Sequence, residues 1–223
     1  RLLMPWLPAR WGCDFQRLRQ LIAEQAVGRV LIIRRTAAGF ARRDDWQTER
    51  RYGGGYLLNW GPHLVEPPVL LMNGTVVSVY GRLMKAFNPG DGEDLFLAIM
   101  NLAGGTLIQS EYTVAVEKPP DWFIQGDRGT IVVRDKRLTI YRSNPVTPAD
   151  PTAFKTMEAT GDSIHEEILE GDLYGDTAEI YASVAAALQG RTPYPVTPQD
   201  ALGLTRLLDA IRTAHEQNRV VTL

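Results

Sequence analysis

Residues 53–66 read GGGYLLNWGPHLVE, three glycines followed by a helical pattern. Asn59 and His63 are four residues apart, so they project from the same face of the predicted helix. A core helix would not bury an amide and an imidazole on one apolar face without partners. Glycine at the helix start lets another molecule approach the backbone. Gly61 has no side chain, so it leaves space beside the two polar side chains. The stretch therefore predicts the wall of a site.

Helical patterns also flank this stretch. The predicted helices cover about 14–26, 54–72, 177–189 and 198–215. Asp14 is a suitable N-cap for the first helix, and Thr197 followed by proline is a suitable start for the last. The second helix contains three prolines, at positions 62, 67 and 68, which we expect to kink or divide it.

Between the helices the pattern changes to period two, which is typical of strands. The sheet core is predicted over about 75–142, where consecutive strands with short links indicate antiparallel pairing. An apolar run at 30–33 predicts one earlier strand, whereas 36–52 and 143–173 are expected to be irregular. The fold class is α+β: an open, mainly antiparallel β-sheet with helices packed on one face, over a single domain of residues 1–223.

Composition excludes several classes of function. Hydrophobic residues make up 44% and charged residues 22% of the chain, which is ordinary for a globular domain. The net charge of -2 gives no sign of nucleic-acid or membrane-surface binding. The single Cys13 and the lack of a signal-peptide pattern favour a cytoplasmic location. No metal site is predicted, because His165-Glu166-Glu167 is not an H-E-x-x-H motif and His215 has no partner in sequence.

The glycine–histidine stretch resembles the C-terminal domain of the Gfo/Idh/MocA oxidoreductases. In that family three glycines, a few apolar residues, an aspartate, three residues and a histidine follow one another. Three further segments resemble the family: residues 10–15, RWGCDF, at its first helix; residues 25–30, QAVGRV, before its first strand; and residues 193–197, PYPVT, before its last helix. The resemblance covers nearly all 223 residues. It implies part of an NAD(P)-dependent oxidoreductase that acts on a sugar, polyol or related alcohol or carbonyl compound.

Two departures from the family pattern limit what the resemblance implies. Asn59 stands where the family has an aspartate, so the usual carboxylate beside the histidine is missing. No G-x-G-x-x-G motif follows an apolar strand, so the dinucleotide fingerprint is missing as well. We therefore expect NAD or NADP to be bound mainly by an N-terminal nucleotide-binding domain of a longer protein. Whether this chain is an enzyme on its own stays open.

The resemblance assigns roles to five residues. His63 would be the catalytic base, Asn59, Tyr56 and Trp60 would contact the substrate, and Arg10 would lie near the cofactor. The residues alone leave other interpretations open. His63 fits a hydrogen-bonded core histidine equally well, Asn59 fits a surface or capping residue, and Arg10 fits a packing or surface group.

The sequence is compatible with two functions from different classes. The first is the substrate-binding and oligomerisation domain of the oxidoreductase described above. The second is a non-catalytic dimerisation or binding module with a degenerate site, which the loss of the aspartate permits. In both, the strand at 95–102 is apolar on both faces, so the open face of the sheet is expected to bind a partner, most simply a second copy of the chain.

Overall fold

The computed structural model describes residues 3–147, 152, 154 and 159–223. Apart from short 3₁₀ turns, these residues form the following elements: α1 (Cys13–Ala23), β1 (Val30–Gly39), α2 (Tyr56–Met72), β2 (Val76–Met84), β3 (Leu95–Leu102), β4 (Leu107–Val114), β5 (Trp122–Gly126), β6 (Gly129–Arg134), β7 (Arg137–Pro145), β8 (Ala159–Ile168), α3 (Thr177–Leu188), α4 (Pro198–Gln217) and β9 (Val221–Thr222). None of the helices in these residues is both long and apolar enough to span a membrane.

The strands form one open sheet in the order β8-β7-β6-β5-β1-β4-β3-β2-β9. β1 and β4 run parallel, and every other neighbouring pair is antiparallel. The connection through α2 brings the chain back to the sheet as β2, which runs in the direction of β1. β3 and β4 then follow as antiparallel neighbours, so β4 runs parallel to β1. The predicted α+β class, an open and mainly antiparallel sheet, is confirmed.

The core lies between one face of the sheet and the helices α2 and α4. Alternate residues of the central strands are fully buried on this face, including Ile33 of β1, Ile108 of β4 and Met100 of β3. Leu57 and Leu64 of α2 and Ile211 of α4 belong to the same buried cluster. Because side chains alternate along a strand, the residues between the buried ones form the opposite face of the sheet.

The helix α2 is continuous through its three prolines, so the expected division at these positions is wrong. A proline at position 68 cannot donate the helical hydrogen bond to the carbonyl of Leu64. The hydroxyl of Ser110 in β4 replaces this hydrogen bond, because it donates to the oxygen of Leu64 at 2.8 Å. A partner on the sheet thus satisfies the group that the proline leaves free, and the helix continues to Met72.

The first helix and the first strand differ from their predicted bounds. Gly12 is the N-cap of α1, while Asp14 is buried and accepts bonds from the backbone N–H of Phe15 and from Nε1 of Trp122 at 2.7 Å. The helix ends at Ala23. β1 continues to Gly39 through a segment predicted to be a loop, because its residues pair in parallel with β4 as far as Val114.

The region 143–173, predicted to be irregular, contains the edge strand β8 and the end of β7. β8 pairs with β7 from Arg137 to Pro145. Nearly every residue of β8 is exposed, so its sequence lacks the alternation of apolar and polar residues that reveals a half-buried strand. Within this region, residues 148–151, 153 and 155–158 lie outside the described part of the chain.

Candidate functional site

The glycines before α2 allow the chain to approach itself closely. Gly55 has a φ of 105°, and a side chain there would collide with the carboxylate of Glu93. A side chain at Gly54 would collide with the backbone carbonyl of Gln47. The backbone N–H groups of Tyr56 and Leu57 donate to the carbonyl and the carboxylate of Glu93, at 2.9 and 3.1 Å. The first N–H groups of the helix are therefore used within the chain, rather than by another molecule.

Asn59 and His63 both line a pocket of about 350 Å³ beside the first half of α2. The residues that line it are Trp6, Trp46, Gln47, Gly53, Gly54, Leu58, Asn59, Pro62 and His63. None of these side chains carries a carboxylate. Larger pockets of about 860 and 670 Å³ lie elsewhere on the described chain, but neither contains Asn59 or His63. The two polar side chains, four residues apart on α2, thus lie on one wall of this pocket, and their role in a site stays a prediction.

His63 is held in a partly buried, aromatic environment. Its ring lies edge-on to Tyr174 at 5.6 Å and to Trp60 at 6.4 Å, measured between ring centroids. Its Nδ1 atom is buried and has no hydrogen-bond partner among the described residues. Burial lowers the pKa of His63 below its ordinary value, and the positive charge of Arg35 lowers it further. The imidazole is therefore neutral near pH 7, the state that a general base requires.

Side chains alternate between the two faces of the sheet along β1, and this alternation determines where Arg35 lies. Its side chain is on the helix-facing side of the strand, where it is buried and stacks over the ring of Trp122 at 4.6 Å. One guanidinium nitrogen donates to the carbonyl of Asp121 at 3.1 Å, and Nε has no partner among the described residues. A positive charge so placed acts on His63 with little screening by solvent.

Replacing Arg35 with methionine should raise the pKa of His63 toward its ordinary value. The substitution removes the positive charge that opposes protonation, while the lowering caused by burial remains. An NMR titration of the His63 imidazole measures this directly. Arg34→Met is the matched control, since Arg34 is on the opposite face of β1 and bonds to Gln125. An unchanged pKa in Arg35→Met, or an equal rise in both variants, would refute the electrostatic link.

Tyr56 and Trp60, predicted to contact substrate, are not among the residues that line this pocket. Tyr56 is buried and meets Tyr112 edge-on at 4.7 Å, and its hydroxyl accepts from Nδ2 of Asn88 at 3.4 Å. Trp60 is half-buried and packs on Tyr112 at 5.0 Å. Both side chains extend from α2 toward β4, where they contribute to the core. In this structure they support the helix that carries Asn59 and His63.

Trp6 and Trp46 are the aromatic side chains of the pocket, and sequence reasoning did not identify them. Trp6 is 49% and Trp46 is 58% exposed, so part of each side chain is accessible to a ligand. Trp46 lies in a polar loop without periodicity, where an exposed tryptophan was the only available signal. Trp6 comes from the N-terminal segment, and its approach to α2 depends on tertiary contacts.

Arg10, predicted to lie near a cofactor, is also outside this pocket. Its guanidinium pairs with Glu66 of α2 at 2.6 Å and with Asp200 of α4 at 3.3 Å. It also donates to the carbonyl of Pro195 at 3.0 Å. Asp200 forms the capping box of α4 with Thr197, which confirms the predicted helix start. These bonds make Arg10 a link between the N-terminal segment and two helices.

The other two histidines lie apart from the pocket. His165 is an exposed residue of β8, 3.7 Å from Glu167. His215 is on α4 beside a different pocket. Within the described ranges, no three residues of the types histidine, cysteine, aspartate and glutamate are grouped closely enough to hold a metal ion.

The fold agrees with what the comparisons with known proteins show. Residues 15–132 match the GFO/IDH/MocA C-terminal domain family, which is more than half of the chain. The chain therefore belongs to the family of C-terminal domains of the Gfo/Idh/MocA oxidoreductases.

Individual relatives share this fold at low sequence identity. The chain is 24% identical to the uncharacterized oxidoreductase YdgJ of Escherichia coli over 94% of its own residues, and it spans 62% of the length of that protein. An NAD-binding protein from Listeria innocua matches with a TM-score of 0.81 and 23% identity, over 99% of this chain and 66% of that one. A super-repressor mutant of Gal80p from Saccharomyces cerevisiae matches with a TM-score of 0.74 and 12% identity, over 97% and 63%. The chain thus spans about two-thirds of these proteins.

Proposed function

We propose that this chain is the substrate-binding and oligomerisation domain of an NAD(P)-dependent oxidoreductase that acts on a sugar, a polyol or a related alcohol or carbonyl compound. The observation that carries the proposal is the pair Asn59 and His63, which line one pocket while burial and Arg35 keep the imidazole neutral. Membership of the family supports the reaction class. Exposed tryptophans and amides in the pocket suit a polyhydroxylated ligand, since rings cover its C–H faces and amides bond its hydroxyls.

The proposed chemistry divides between the cofactor and this chain. Oxidation of an alcohol removes a hydride from carbon and a proton from oxygen, and a nicotinamide supplies the acceptor of the hydride. His63 would accept the hydroxyl proton as a general base. Asn59 would accept a hydrogen bond from a neighbouring hydroxyl of the substrate, and it cannot compete for the reacting proton because an amide does not ionise in this pH range.

The described residues do not form a dinucleotide site of the expected kind. The sequence lacks the glycine fingerprint, and the first N–H groups of α2 bond to Glu93 instead of a phosphate. We therefore assign the binding of NAD or NADP mainly to an N-terminal domain of the longer protein. The proposal is tested by assaying that protein with NAD⁺ and NADP⁺ against glucose, sorbitol and myo-inositol. Absence of any dehydrogenase or reductase activity across a wider polyol and sugar panel would contradict it.

The chain by itself should not bind NAD⁺ or NADP⁺ with useful affinity, because the parts that recognise pyrophosphate and ribose are missing from its sequence. Isothermal titration calorimetry of the 223-residue chain is expected to show no saturable binding at micromolar concentrations. The longer protein serves as the positive control. Tight, saturable binding by the chain alone would place the cofactor site in this domain.

The open face of the sheet is proposed to pair with a second copy of the chain. Tyr80, Leu97, Ile99, Phe123 and Val132 are half-buried on this face. These apolar side chains share the face with polar ones such as Gln109 and Glu111. Because helices cover only the other side of the sheet, the face favours a symmetric sheet-on-sheet contact. Analytical ultracentrifugation should give a dimer for the chain and a shift toward monomer for Ile99→Glu. Val116→Glu, at a loop residue that is 77% exposed, is the control and should remain a dimer. A wild-type monomer at high concentration would count against the contact.

A non-catalytic binding module is the alternative function. It is favoured by one observation, the lack of a carboxylate among the residues that line the pocket. The fold is compatible with it, because the similar Gal80p structure is that of a repressor mutant, and a fold does not fix a function. Activity that survives removal of the His63 side chain would favour this alternative for the pocket.

A further inference from the structure

The side chain of Gln47 receives two hydrogen bonds on one atom. Nη1 of Arg43 donates to Oε1 of Gln47 at 2.8 Å, and Nδ2 of Asn59 donates to the same oxygen. The loop between β1 and α2 thus contacts the helix face that carries the candidate site. Gln47 also lines the pocket beside Asn59 and His63.

The arginine determines how both amides are oriented. A guanidinium can only donate hydrogen bonds, so Gln47 must turn its oxygen, and not its NH₂ group, toward Arg43. With that oxygen fixed, Asn59 must turn its NH₂ group toward Gln47. The Oδ1 atom of Asn59 and the NH₂ group of Gln47 are then left without hydrogen-bond partners among the described residues. One acceptor and one donor remain for a ligand.

Backbone hydrogen bonds hold the two loop residues, Arg43 and Gln47, in place. The N–H of Gln47 donates to the carboxylate of Asp45 at 2.9 Å, and its carbonyl accepts from the N–H of Gly55 at 2.9 Å. The N–H of Arg43 donates to Oδ1 of Asn88 at 2.7 Å. Asn88 is fixed in turn by the buried carboxylate of Asp94, which accepts its N–H at 2.8 Å. The backbones of Arg43 and Gln47 are therefore fixed in the loop, and the backbone of Asn59 is fixed in α2. Such support is what a preorganised site requires.

We propose that Arg43 and Gln47 are positioning residues that orient the amide of Asn59, so that its Oδ1 atom accepts a hydrogen bond from a ligand hydroxyl next to the one that gives its proton to His63. This inference rests on the proposed function for the identity of the ligand. It gives a physical reason for asparagine at position 59. An aspartate there would turn a carboxylate oxygen toward the fixed oxygen of Gln47, whereas the amide donates to it and still presents an acceptor to the pocket.

Two substitutions of Arg43, which is not among the residues that line the pocket, test the proposal in the longer oxidoreductase with its best substrate from the polyol panel. Arg43→Met removes the donor that fixes the oxygen of Gln47, and we expect KM to rise about tenfold with a smaller change in kcat. Arg43→Lys keeps a cationic donor to that oxygen, so its KM should rise less than about threefold. Gln199→Met, at an exposed glutamine of α4, is the surface control. Equal impairment of Arg43→Met and Arg43→Lys, or of neither, overturns the proposal.

An NMR measurement on the chain itself does not depend on catalysis. The Asn59 side-chain NH₂ signals should exchange with water more slowly than those of Gln199, and Gln47→Met and Arg43→Met should remove this protection while Arg43→Lys retains part of it. Fast exchange of the Asn59 signals in the wild-type chain overturns the proposal whatever the activity. The two proposals fail separately. Full activity in His63→Ala removes the catalytic role, whereas loss in His63→Ala together with normal kinetics in Arg43→Met removes only the positioning role.

Discussion

Replacing His63 with alanine is expected to lower the kcat of the longer oxidoreductase by about 10²–10⁴-fold, the usual loss on removing a general base. The KM for the substrate should change much less, because proton transfer in the transition state is lost while the pocket wall remains. The structure supports this split, since the imidazole lines the pocket and its Nδ1 atom has no bond within the described chain that the substitution would break. Steady-state kinetics at saturating cofactor measure both constants.

The pH dependence of the same reaction gives a second, independent check. His63 acts as a base only when neutral, so kcat/KM should rise with pH through the pKa that this residue has in the free enzyme. Because burial and Arg35 lower that pKa, the rise should occur below the ordinary histidine value. Asn59→Asp should move the rise to higher pH, since a nearby negative charge stabilises the imidazolium. His165→Ala, at an exposed histidine of β8, should change neither kcat nor the profile. A folded His63→Ala protein with wild-type kcat would end the catalytic interpretation.

The sequence was most informative where a local pattern is also the structural determinant. Four-residue spacing was enough to place Asn59 and His63 on one helix face, and Thr197 with Asp200 forms the capping box that the start of α4 predicted. Period-two alternation located the central strands, because one face of each is buried. In these cases the physical cause is contained within a few neighbouring residues.

Prediction failed where a distant group decides the local structure. The prolines of α2 predict a kink or a division, since the hydroxyl of Ser110 that satisfies the carbonyl freed by Pro68 is far away in sequence. β8 has no pattern because it is exposed at the sheet edge. The two aromatic side chains predicted to contact substrate do not line this pocket, and their role stays a prediction. Tyr56 and Trp60 follow the core side of the helix, and Trp6 reaches the pocket only through the tertiary fold.

Arg10→Met is expected to destabilise the chain by about 3 kcal/mol at neutral pH, the lower end of the cost of leaving a buried charge unpaired. Glu66 would lose its partner while its side chain is only 11% exposed, and its Oε2 atom already has no partner among the described residues. Denaturant unfolding followed by circular dichroism measures the change. Arg29→Met is the control. Arg29 is 78% exposed and 3.8 Å from Asp127, so its loss should cost no more than about 0.5 kcal/mol.

The pH dependence of the stability lost in Arg10→Met distinguishes a structural ion pair from a cofactor contact. Burial raises the pKa of Glu66 even though Arg10 opposes the rise, so removing Arg10 raises that pKa further. A carboxyl whose pKa is raised on folding favours the protonated folded state, and stability is lost as pH increases through the raised value. The deficit of Arg10→Met should therefore be largest at neutral pH and shrink as the pH falls toward the ordinary glutamate pKa. Adding Glu66→Gln should recover most of the stability at pH 7. A deficit that is independent of pH, or a variant of normal stability whose KM for NAD⁺ is raised, would instead favour the cofactor role that the sequence resemblance implies.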